Sequence, residues 1–183
     1  MPRKAIHEAG HAVVAHALGL APGKRLYLSG HGGGYDAPRA APLTRKTAEA
    51  ELAMILAGRA AENLIFGSVS SGSGGAPQSD LAQATELAFE MEYSFGLGPS
   101  LYYAMSVKID PMMVPDDVKD RIENILQRAS KLAEQTLTAN RRPVMRMANA
   151  LLKHRELDAD QLKALLSDTS TDDTNPDNRS AHV

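Results

Sequence analysis

Apolar positions along the chain fall into alternating helical and extended stretches. From Pro2 to Leu18, Ile6, Val13, Val14, Ala17 and Leu18 recur at helical spacing, and Gly19 and Pro22 end the run. Lys24 to Ser29 alternates, with Leu26 and Leu28 set against Arg25 and Tyr27, and predicts a short strand. Gly30 to Pro42 is rich in Gly, Pro and Ala and predicts a hairpin or loop, with Gly34-Tyr35 in a second strand. Thr44 caps a second helix running to about Phe66, with Gly67 just past its end. Residues 68–79 are Ser/Gly-rich. Composition alone makes them a linker, whereas their length suits a functional loop.

A third helix is expected from about Asp80 to Phe95, stopped by Gly96 and Gly98. Residues 99–115 read as irregular, with a strand expected from Leu101 to Val107. Pro115 or Asp116 opens a long helix to about Ala139, with the stripe Val118, Ile122, Ile125, Ala129, Leu132 and Ala133. Asn140 and Pro143 start a fifth helix, since proline is tolerated in a first turn. Asp158 and Gln161 form a capping-box pattern with Leu157 and Leu162 as its staple, so a sixth helix should reach about Leu166. Residues 168–183 have almost nothing to bury and should be disordered. The expected organisation is a mainly α domain with a small β-hairpin over residues 1–166 and a polar, acidic tail over 167–183.

Composition narrows the chemistry. A chain of 183 residues is long enough for a proper core. It has no cysteine, which removes disulfides, thiolate metal sites and cysteine nucleophiles. The net charge of −2 offers no basic excess for phosphates, so nucleic acid is not an expected partner. Aromatic content is 4% and many apolar residues are alanine, which favours closely packed helices. No apolar run approaches the ~18 residues of a membrane span, so the chain as given is expected to be cytoplasmic.

His7-Glu8-Ala9-Gly10-His11 has the form H-E-x-x-H. Residues four apart on a helix differ by roughly 40° and rise roughly 6 Å, so both imidazoles can reach one metal ion. Glu8 can lie beside a water at the metal and act as general base. With 6 His in 183 residues, chance gives this pattern on the order of 0.01 times per chain. The competing reading is a solvated helix face. Gly10 costs its helix about 1 kcal/mol against alanine, which suggests a close neighbour. His16 lies about 140° from His11 and cannot join the pair. The pattern Gly at 14 and His at 17 is absent, because Val14 and Ala17 stand there. A third ligand must therefore come from elsewhere. Glu62 and Asp80 are the candidates. Glu62 could equally pair with Arg59, and Asp80 could equally cap a helix with Gln83.

These residues resemble the peptidase domain of FtsH-type ATP-dependent zinc metalloproteases. His7-Glu8-Ala9-Gly10-His11-Ala12-Val13-Val14 is similar to that family's zinc helix. Leu56-Ala57-Gly58-Arg59-Ala60-Ala61-Glu62 through Gly67 resembles its Gly-Arg-Ala-Ala-Glu helix, with Asn63 in place of a common Glu. Val69-Ser70-Ser71-Gly72 through Ser79-Asp80-Leu81 and Ala84-Thr85 resembles the loop and helix bearing its third ligand, with a longer loop. Asn140-Arg141, Leu151-Leu152 and Leu157-Asp158 resemble its C-terminal helices, so the likeness spans residues 3–166.

The resemblance implies one Zn²⁺ held by His7, His11 and Asp80, with Glu62 as a nearby group orienting a ligand. It implies Glu8 as the catalytic base and a substrate-binding edge at Gly34 and Tyr35. The implied activity is a metalloendopeptidase acting on unfolded or flexible proteins, the peptidase half of an ATP-dependent protease. Family members carry an ATPase module, usually after a membrane anchor, and assemble as hexameric rings. Neither Gly23-Lys24-Arg25 nor the Gly30–Gly34 turn makes a phosphate-binding loop, so no ATP site is expected in this chain. The chain reads as an excised domain or a stand-alone relative, with an ATPase module or chain and a homo-oligomer as candidate partners. The resemblance makes it membrane-associated if it is part of a longer anchored protein. A catalytically silent, zinc-stabilised scaffold is the alternative function.

Overall fold

The computed structural model of the chain describes residues 2–30, 32–39, 42–99, 101, 103 and 114–167. Six helices occur among them: α1 (Pro2–Ala17), α2 (Arg45–Phe66), α3 (Asp80–Tyr93), α4 (Asp116–Ala139), α5 (Arg141–His154) and α6 (Ala159–Ser167). Three short strands, β1 (Arg25–Leu28), β2 (Gly33–Asp36) and β3 (Glu156–Asp158), form an antiparallel sheet in the order β2-β1-β3. Leu26 faces Tyr35 on one side and Leu157 on the other.

Apart from the strand expected at 101–107, the expected elements are present, with four differences. β3 is a strand that the sequence did not announce: its three residues pair with β1 while Asp158 and Gln161 still make the reciprocal cap of α6. α3 ends at Tyr93 rather than Phe95. Ala17, expected in the apolar stripe of α1, is exposed, because the helix ends there and turns into Gly19 at φ +70°. α6 extends to Ser167. Of the strand expected at 101–107 only Leu101 and Tyr103 are described, neither in a strand, and the tail beyond Ser167 lies outside the described residues.

α2 forms as its signals require. Thr44 Oγ1 accepts from the Thr47 N–H, and Thr47 returns the bond to the Thr44 N–H. Gly67, at φ +65°, closes the other end by donating to the Asn63 carbonyl. Two apolar clusters share this helix. One joins α1 and α2 to α4, α5, α6 and the sheet through Ala9, Val13, Val14, Leu26, Ala57, Ala61, Leu137, Met147, Leu151 and Leu162. The other packs Leu52, Ile55 and Leu56 of α2 against Ala84, Leu87 and Met91 of α3 and Ile122 and Ile125 of α4.

α1 is buried along most of its length, with Ala5, Ala9, Ala12, Val13 and Val14 at 1% exposure or less. Its approach to α2 is very close. A Cβ on Gly10 would lie 2.7 Å from the Ala57 carbonyl oxygen and 2.8 Å from the Ala61 Cβ. This is the close neighbour that the mid-helix glycine implied.

Gly10→Ala should therefore destabilise the fold. Alanine gains about 1 kcal/mol of helix propensity, but overpacking against a backbone carbonyl costs about 1–3 kcal/mol. A lower urea midpoint is expected. An unchanged or higher midpoint would mean that α1 and α2 separate freely.

Candidate metal centre

His7, Glu8 and His11 lie on α1 and are all buried. The two imidazole rings stand 4.9 Å apart, centroid to centroid, at 74°. Asp80 is the first residue of α3, and its carboxylate meets both rings. Oδ2 lies 2.9 Å from His7 Nε2 and 3.7 Å from His11 Nε2. Ser79, not Asp80, caps α3, accepting from the Ala82 N–H. The capping alternative for Asp80 is thereby overturned, because the residue before it does that work and leaves the carboxylate to face the histidines.

Each histidine is held by its other nitrogen. His11 Nδ1 lies 2.7 Å from the Met54 carbonyl oxygen, which can only accept, so this nitrogen carries the proton. His7 Nδ1 donates to Glu62 Oε1 at 2.9 Å. Both Nε2 atoms therefore turn toward Asp80. Glu62 is 2% exposed and fully engaged. Besides His7, it accepts from Arg3 Nη1 at 2.9 Å, from the Ser70 N–H at 2.8 Å and from Ser70 Oγ at 3.0 Å. Burial would raise its pKa, but the hydrogen bonds from Arg3, Ser70 and His7 outweigh burial and hold it below the usual carboxylate range.

Sequence reading missed Gly58. A Cβ there would overlap His7 Nε2 and lie 2.6 Å from His11 Nε2. Both imidazoles rest on a stretch of α2 with no side chain. The signal was a buried glycine inside a helix, the same signal that marked Gly10. Arg3 and the Met54 carbonyl were also missed; a backbone acceptor has no sequence signature.

His7, His11 and Asp80 are the group among the described residues whose ligand atoms converge, all within 4.8 Å of one another. Two neutral-nitrogen donors and one carboxylate oxygen suit Zn²⁺, and three protein ligands leave a position open. The prepared Nε2 pair, the carboxylate already between them and the bare Gly58 surface all fit such an ion. Glu8 stands beside this group, its carboxylate against Gly33 of β2, where a Cβ would come within 2.7 Å of Oε1. Burial, with the charge of Asp80, pushes its pKa up to about 7 against the pull of His7 and Lys4.

The site opens into a cleft of about 770 Å³ running along α1. Lys4, Gly34, Tyr35 and Asp80 are among its lining residues. The expected substrate-edge residues thus share the cleft with the histidines. His16 is exposed and stands apart.

A buried helix presenting two histidines and a carboxylate to one carboxylate of a second helix, beside an edge strand, defines a metallopeptidase domain. The chain belongs to peptidase family M41, whose model matches residues 3–165. It is 33% identical over 177 residues to ATP-dependent zinc metalloprotease FtsH 2 of Sphaerobacter thermophilus, covering 89% of this chain and 26% of that protein. It is 34% identical over 173 residues to FtsH 3 of the same organism, covering 88% and 34%. FtsH 2 of Symbiobacterium thermophilum is 32% identical over 179 residues, covering 94% and 28%. The chain spans about a quarter to a third of the length of these relatives.

In the metal-free chain, burial lowers the pKa of His7, but Asp80, Glu8 and Glu62 outweigh it and bring it to about 9. Burial lowers that of His11 below its ordinary value. His7 then binds its proton more tightly folded than unfolded. This group stabilises the metal-free fold fully below about pH 6.5, and the contribution is lost as pH rises through about 9. An NMR titration of the metal-free protein should show the His7 ring titrating near 9 and His11 below 6.5. The reverse order would show that the carboxylates do not face His7.

Proposed function

We propose that the chain is a zinc metalloendopeptidase domain in which His7, His11 and Asp80 hold the ion and Glu8 is the general base. The observation that carries this reading is the meeting of Asp80 Oδ2 with both Nε2 atoms while the buried Glu8 carboxylate stands in the same cleft. When bound, Zn²⁺ supplies a lowered water pKa and polarises the scissile carbonyl. The remaining work belongs to the protein. Glu62 and the Met54 carbonyl fix the two imidazoles, so Nε2 of each is the free nitrogen. Glu8 takes a proton from water as its oxygen adds to the carbonyl carbon. The same proton passes to the amine nitrogen as the C–N bond breaks. A pKa near 7 suits a group that must both accept and release a proton at neutral pH.

The substrate reading follows from β2. It is an edge strand of the sheet and lines the cleft through Gly33, Gly34 and Tyr35. Gly33 and Gly34 leave the backbone accessible, so an extended chain can add beside it by main-chain hydrogen bonds. Such a chain must be free of its own structure, which favours unfolded or flexible proteins. A folded domain of ~5–15 kcal/mol stability exposes an extended segment at most about 10⁻³ of the time. Dependence on ATP, which the relatives' names record, would reside in an ATPase module or chain acting with this one, and a homo-oligomeric ring is the assembly the resemblance supports. Among the described residues no helix is long and apolar enough to cross a membrane. Glu8 favours turnover over a silent scaffold, since a scaffold has no use for a buried carboxylate beside the metal ligands.

Glu8→Gln should retain zinc and lose about 10²–10⁴-fold in kcat, measured on an unstructured fluorogenic peptide with a chelator-treated control. Near-normal cleavage by that variant, or chelator-resistant cleavage by the unaltered chain, would reject the assignment. The same peptide should be cut at a rate unaffected by ATP, and a stably folded domain far more slowly than its denatured form. Equal rates on folded and denatured forms would overturn the substrate reading.

A further inference from the structure

Arg3 is one helical turn before His7 on α1, and both terminal nitrogens of its guanidinium are hydrogen-bonded. Nη1 donates to Glu62 Oε2 at 2.9 Å and to the Ser68 carbonyl at 2.8 Å. Nη2 reaches Ser68 Oγ at 3.2 Å. The guanidinium carbon lies 4.4 Å from the centroid of the Phe66 ring, close enough for a cation–π contact. One planar fork thus ties the start of α1, the end of α2 and the first residue of the loop leading to Asp80. Only Arg has donors enough, in a rigid plane, to make these contacts together.

We infer that Arg3 is a positioning residue of the metal centre, acting through Glu62 to fix the His7 ring and through Ser68 to fix the loop that delivers Asp80. The inference rests on the assignment of His7, His11 and Asp80 as metal ligands. Glu62 accepts four hydrogen bonds from three residues. Without Arg3, Oε2 keeps only the Ser70 N–H, and a buried carboxylate is left poorly compensated beside His7. The carboxylate can then rotate or draw the imidazole out of line. Partners that orient a ligand in this way are worth about 10–100-fold in metal affinity. Arg3 touches neither the ion's ligand atoms nor the cleft's reacting centre directly, so it is not a catalytic residue.

The experiment measures zinc affinity by chelator competition and records the visible spectrum of the Co²⁺-substituted protein. The unaltered chain, Arg3→Ala, Arg3→Lys, Glu62→Gln and the Arg3→Ala/Glu62→Gln double variant are compared. Arg3→Ala should bind zinc about 10–100-fold more weakly and shift the Co²⁺ bands while circular dichroism stays helical. Arg3→Lys should recover part of the affinity, because one charge can reach Glu62 but not Ser68 as well. The double variant should be no weaker than Glu62→Gln by more than the Ser68 contact contributes, a few-fold, because residues acting in series are not additive. Fully additive losses, or an Arg3→Ala protein with the zinc affinity and Co²⁺ spectrum of the unaltered chain, would overturn the inference. If Arg3→Ala does not fold, the partial rescue by Arg3→Lys and its Co²⁺ spectrum decide the case: an unshifted spectrum counts against a positioning role. If the unaltered chain binds neither metal, it is the ligand assignment that fails.

Discussion

The separation of α1 and α2 sets the geometry of everything else in the site. Two glycines permit it, one on each helix. Gly10 lets α1 settle on Ala57 and Ala61. Gly58 provides the bare surface on which both imidazoles rest. The helices run antiparallel, with contacts at successive turns of α1 met by α2 residues one and then two turns apart, the turn between being Gly58. Arg3 meets Phe66, His7 meets Glu62, and His11 meets Met54. Residues four or eight apart share a helix face, so a single close approach sets three successive turns of α1 against Phe66, Glu62 and Met54 of α2, with bare Gly58 between the last two. A wider spacing would break all three pairings together.

This register also solves an electrostatic problem. The interface buries Glu62, His7 and His11 with Asp80 nearby, and buried charge is costly unless paired and hydrogen-bonded. Both oxygens of Glu62, both nitrogens of His7 and Nδ1 of His11 are hydrogen-bonded. Met54 supplies a carbonyl, Ser70 an N–H and a hydroxyl, and Arg3 a positive charge that reaches in from the half-exposed edge. The network has one strongly cationic end and one cluster of donors facing Asp80. A divalent cation entering there would take the place of the proton that His7 Nε2 otherwise holds toward Asp80.

Asp80 arrives by a different route. It belongs to α3, whose position is fixed by Ala84, Leu87, Ala88 and Met91 packing on Leu52, Ile55 and Leu56 of α2. The twelve residues before it need only span the gap. They do so with a single 3₁₀ turn at Ser71–Ser73 and with Ser70 bound to Glu62. α2 is therefore the common reference for all three candidate ligands: it packs against α1 on one face and α3 on another.

Much of this was legible along the chain. Helical periodicity, the caps at Thr44 and Gly67, and the box at Asp158 and Gln161 are local signals, because the atoms that satisfy them lie within a turn of each other. His7 and His11 were assigned as a pair for the same reason. Gly10 announced a close neighbour without saying which. The choice between Glu62 and Asp80 was not available from spacing. Either could belong to a metal or to a helix; the packing of α3 on α2 brings Asp80 to the Nε2 atoms, and the close approach of α1 to α2 brings Glu62 to Nδ1. β3 was likewise invisible, since three residues gain strand character only from pairing with β1. Gly58, Arg3 and the Met54 carbonyl act across 43 to 65 residues of chain. The sequence by itself determined the helices and the chemistry carried on α1. The tertiary structure alone decided which distant groups complete it, because that depends on how closely two helices approach.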